Sequence, residues 1–65
     1  MRIEEIPSYF LNKKIKLIKE DGFILTGYIR EINSNNILFE TDQATAIISV
    51  DRIKELVLKK RDGYD

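Results

Sequence analysis

Histidine, cysteine and tryptophan are all missing from this sequence. Without the first two, the chain can build no Ser-His-Asp triad, thiol nucleophile, Cys/His zinc site or CxxC redox pair. No disulfide can staple the fold either. At 65 residues a chain buries only about 60% of the surface its unfolded form exposes, so its own core is marginal and a subunit partner is the expected remedy. An excess of either charge is missing too: 11 Lys+Arg balance 11 Asp+Glu, which argues against tight, sequence-blind binding to nucleic acid. The acidic residues form no dense cluster, so neither a carboxylate metal site nor a cofactor is expected. No apolar run approaches the ~18 residues of a membrane span and no signal-peptide pattern opens the chain. A cytoplasmic protein without membrane contact is expected. What remains open is a binding or assembly module, not an enzyme.

The residues that are present point to strands. Eleven isoleucines and short, regular turn signals indicate an all-β domain over residues 1–58. The opening is the exception: Ile3, Ile6 and Phe10 lie at helical spacing, and Pro7 suits a first helical turn. A short helix near Pro7–Asn12 is expected, serving as an apolar lid. Lys14–Glu20 alternates Ile15 and Leu17 against Lys14 and Lys16, a half-buried strand. Glu20-Asp21-Gly22 forms a turn with Gly22 at positive φ.

A long second strand follows over Phe23–Asn33, with Phe23, Leu25, Gly27 and Ile29 on one face. The phase then slips so that Ile32 points inward in place of Glu31, which calls for a bulge or sharp bend. Gly27 permits coiling or the close approach of another backbone. Ser34-Asn35-Asn36 is a turn, Ile37–Thr41 a third strand and Asp42-Gln43 a turn. Ala44–Ser49 is a fourth strand, and its consecutive Ile47 and Ile48 suggest cover on both faces. Val50-Asp51-Arg52 reads as a short helical turn, Ile53–Leu58 as a fifth strand, and residues 59–65 as a charged tail.

A short helix followed by five strands, the second bent at a glycine, resembles the Sm-like fold of Sm, Lsm and Hfq proteins. Lys16 through Ile29 resembles the first Sm motif, with the Asp21-Gly22 turn and Gly27 five residues beyond it. Ile32-Asn33 stands in the place of that motif's aromatic-aspartate pair. Ile48-Ser49-Val50-Asp51-Arg52-Ile53 resembles the second motif. Other small barrels, including SH3-like appendage domains, carry a similar pattern. The resemblance implies a bent five-stranded antiparallel barrel assembled as a cyclic homo-oligomer of six or seven subunits, the fourth strand of one pairing with the fifth of the next. It also implies single-stranded RNA as the partner.

The contact residues depart from the family. In Sm and Lsm rings, an aromatic or histidine and an asparagine after the second strand hold uridine together with an arginine of the second motif. Here that loop offers Asn33, Asn35 and Asn36 without an aromatic, and Asn36 aligns only across a deletion. Ser49 stands in the arginine's place and Val50 in that of the neighbouring glycine. The lysine-histidine pair of Hfq falls on Val50 and Asp51, and its adenine-face residues fall on Ile18, Ile24 and Thr26. The candidate RNA-binding set is therefore Asn33, Asn35, Asn36, Ser49 and Arg52.

Each candidate has a plain alternative. Asparagine suits tight turns as readily as base edges. Arg52 can stack on a base or pair with Asp51 or Glu55. Tyr9 and Tyr28 are stacking platforms or ordinary surface aromatics. Lys13, Lys14, Lys16 and Lys19, like Lys59, Lys60 and Arg61, form a basic patch or merely a solvated face. Two function classes follow: an RNA-binding ring of modest affinity, or a protein–protein assembly module on the same scaffold that has lost RNA binding.

Overall fold

A computed structural model describes residues 1–59; the expected charged tail beyond Lys59 lies outside the described residues. Five strands form one antiparallel sheet: β1 (Lys14–Lys19), β2 (Ile24–Ile32), β3 (Asn36–Glu40), β4 (Thr45–Ser49) and β5 (Ile53–Leu58). Their lateral order is β4-β3-β2-β1-β5. The sheet is not closed, so β4 and β5 are its two edges.

Alternation builds the core. Ile15 and Leu17 on β1, Ile29 on β2, Ile37 and Phe39 on β3 and Ile53 on β5 are completely buried, and Ile48 and Val50 nearly so. Complete burial of one such side chain contributes roughly 1.5–3 kcal/mol. No polar side chain is buried among the described residues, so this core carries no desolvation penalty.

The expected phase slip in β2 is a register shift. Ile29 faces Phe39, but Glu31 faces Leu38, leaving Arg30 as the extra residue. Gly27 sits where β2 presses on β3: a Cβ there would collide with the Glu40 carbonyl oxygen and lie 3.1 Å from Phe39 Cε2. Gly22 turns β1 into β2 with φ +95°.

Three expectations need correction. The N-terminal helix is two separate 3-10 turns, Ile3–Glu5 and Ser8–Phe10. Ile6 and Phe10 are buried as a lid, but Leu11 is extended and Asn12 adopts φ +62°, so the chain turns away before an α-helical hydrogen bond can repeat. The Asn12 amide donates instead to the Ile29 carbonyl at 2.7 Å. Second, Phe23 is 67% exposed, because the β1–β2 ladder ends at the Ile18–Ile24 pair and Phe23 stands beyond it in the turn. Its ring lies 5.9 Å from Lys19 Nζ. Third, β4 is covered on one face only: Ile48 is buried, whereas Ile47 is 71% exposed.

Candidate functional site

Backbone pairing assembles most of the candidate set at one end of the sheet. Asn36 is the cross-strand partner of Ser49, and the Val50 amide donates to the Asn35 carbonyl at 3.0 Å. The β2–β3 turn is itself closed by the Asn33 amide donating to the Asn36 carbonyl at 2.8 Å. Asn33, Asn35, Asn36 and Ser49 therefore share one corner beside the 3-10 turn Val50–Arg52.

Within that corner the amides are partly spent on each other. Asn33 Nδ2 donates to Asn36 Oδ1 at 3.1 Å, and Asn36 Nδ2 donates to Asn35 Oδ1 at 3.2 Å. Each amide group offers an acceptor and two N–H donors, so the relay engages neither Asn35 Nδ2 nor Asn33 Oδ1 and leaves one N–H donor on each of Asn33 and Asn36. Ser49 is exposed.

Arg52 belongs to a different neighbourhood. Its carbonyl accepts from the Glu20 amide at 2.8 Å, and Lys19, Glu20, Asp21 and Arg52 line a small hollow of about 90 Å³. Glu20 and Asp21 of the β1–β2 turn therefore share this hollow with two cations, Lys19 and Arg52. The pairing of Arg52 with Asp51 or Glu55 does not form: the ion pairs among the described residues are Arg2–Glu4 and Arg30–Glu40.

A second concavity was not singled out from the sequence. Lys14, Thr26, Gly27, Tyr28, Arg30, Glu40, Thr41 and Asp42 line a groove of about 380 Å³ on the outer face of β1–β2–β3. Arg30 is fixed there. Its Nε donates to Glu40 Oε1 at 2.7 Å, its Nη1 donates to Asn12 Oδ1 at 2.9 Å, and its guanidinium carbon stands 4.8 Å from the centre of the Tyr28 ring. The phase slip in β2 was the available signal, since a bulge commonly re-aims a side chain.

Two further features bear on function. Exposed apolar residues flank both sheet edges: Ile47 on β4, and Val57 and Leu58, 38% and 41% exposed, on β5. No helix among the described residues is long and apolar enough to cross a membrane, and no group of three or more potential metal ligands occurs among them. No family model, curated protein or solved structure matches the chain.

Proposed function

We propose that this chain is a non-enzymatic RNA-binding ring protein of the Sm-like kind. Its subunits join through their sheet edges into a closed ring of six or seven, and the bent sheet completes a small barrel. The observation that carries this reading is the state of β4. Thr45-Ala46-Ile47-Ile48-Ser49 is an edge with no charge, no proline and a 71% exposed isoleucine. Natural proteins blunt such edges when they stay unpaired. On the far side of the sheet, β5 is also an edge and carries exposed Val57 and Leu58. A surface that supplies one edge and receives the other generates rings when the rotation closes. The marginal size of the core favours such a partner.

Ring geometry compensates for the modest affinity of each subunit's contacts, because repeated weak contacts gain by avidity. In each subunit, Asn35 and Asn33 offer amide groups to base edges and Arg52 offers a guanidinium. Sedimentation of the full chain at micromolar concentration tests the ring, which requires a discrete oligomer; a stable monomer refutes it. Titration of short U-rich and A-rich RNA at two salt concentrations tests the ligand, which requires binding that weakens with salt.

A second reading rests on the same edges without RNA: a protein–protein assembly module. The mutual engagement of the asparagine amides favours it. An oligomer that binds no RNA even at low salt decides for this reading.

A further inference from the structure

Lys59 joins the lysines of β1 at one end of the sheet. The β1–β5 ladder pairs Ile15 with Leu58 and Lys16 with Val57, and the Lys59 amide donates to the Lys14 carbonyl at 3.0 Å. Because Ile15 and Leu17 point into the core, Lys14 and Lys16 project from the outer face. At the other end of β1, Glu20 and Asp21 stand with Lys19 and Arg52, so opposite charges balance there. The zero net charge of the chain thus conceals a local basic field where Lys14, Lys16 and Lys59 meet.

The outer groove borders that field. Lys14 is the cross-strand partner of Tyr28, and Tyr28 in turn of Glu40, so the three stand in one row. Arg30, the unpaired residue of the β2 bulge, lies over the Tyr28 ring at 4.8 Å. Two of its five N–H donors are taken by Glu40 and Asn12. The remaining donors and the outer face of the guanidinium are presented on a plane that folding has already fixed. Arginine held over an aromatic ring is a stacking surface as well as a charge.

We infer that this groove is a contact surface for single-stranded RNA, with one base stacked on the Arg30–Tyr28 pair and phosphates running along Lys14 and Lys16. The proposal rests on the RNA reading above and adds a surface distinct from the asparagine turn and Arg52. Stacking on a π-face or guanidinium plane tolerates any base, so the groove contributes affinity and salt dependence with little sequence preference. Asp42 closes the β3 side of the groove and repels phosphate. The strand therefore runs on the β1 side.

Fluorescence anisotropy with labelled U-rich and A-rich RNA, on the full chain and its variants, tests this. Tyr28→Leu removes the stacking support and lowers affinity by roughly five- to a hundredfold. Lys14→Ala removes one phosphate contact and reduces the slope of log affinity against log salt by about 0.7. Thermal melting of each variant checks the fold. Should Tyr28→Leu fail to fold, Arg30→Lys substitutes for it: the charge stays and the plane is lost, so affinity falls while the salt slope holds. Folded groove variants that bind like the parent, while Arg52→Ala loses binding, overturn the groove and leave the RNA reading standing. A parent chain that binds no RNA at low salt overturns the RNA reading itself.

Discussion

Gly27 has no side chain because β3 leaves no room for one. A methyl group there would meet the Glu40 carbonyl and the Phe39 ring, and Phe39 is completely buried among the core side chains. Gly27→Ala is therefore expected to lose about 1–3 kcal/mol by overpacking, read as a lower urea midpoint at unchanged slope. On backbone entropy alone the same change would stabilise the strand by about 0.5–1 kcal/mol, so a higher midpoint would disprove the close approach. This glycine was legible in the sequence from its place in a long alternating strand, as was the positive φ of Gly22. Asn12 was not. Its φ of +62° lies inside a stretch whose apolar spacing reads as helical, and spacing alone cannot reveal that the Asn12 amide finds its acceptor on Ile29, a residue of another strand.

At the scale of elements, the boundaries that alternation sets are the ones that hold. The span Ile53–Leu58 is reproduced, and the other strands differ from expectation by a residue at one or both ends. Periodicity could not show that Phe23 stands past the last β1–β2 pair, because side-chain alternation says nothing about where a ladder stops. Nor could it show that Arg30 clasps the N-terminal segment to the sheet through Asn12. The lid that this clasp holds is small but buried at Ile6 and Phe10. Phe10→Ala is expected to cost about 3–5 kcal/mol. A 65-residue domain has a total stability of only roughly 3–10 kcal/mol, so circular dichroism should find this variant largely unfolded at modest temperature. A melt close to the parent's would mean that the two 3-10 turns are ornaments on an independently stable sheet. The candidate site was legible in the same partial way: the turns at Asn33–Asn36 and Val50–Arg52 do meet, through Val50 and Asn35, whereas the approach of Glu20 to Arg52 depends on tertiary pairing that no local pattern encodes.

For the molecule as a whole, the decisive question is what covers the two edges of an open five-stranded sheet. Ile47 is more exposed than any other large hydrophobic among the described residues, and it stands at the middle of the uncharged edge strand β4. Its neighbour across the ladder is Leu38, already half-buried, so covering Ile47 requires a surface from outside the subunit. Ile47→Lys places a solvated charge at the strand centre, the commonest natural guard of an edge. Because Ile47 contributes little to the subunit's own core, the substitution should leave the urea midpoint of a diluted, dissociated subunit nearly unchanged. In an edge-joined assembly the same lysine would be brought against β5 of the next subunit and desolvated, at a cost of several kcal/mol. Light scattering is therefore expected to find the parent as a discrete oligomer and Ile47→Lys as a folded monomer. An oligomer that survives Ile47→Lys undiminished would show that β4 is not the joining edge, and the ring built upon it would have to be abandoned.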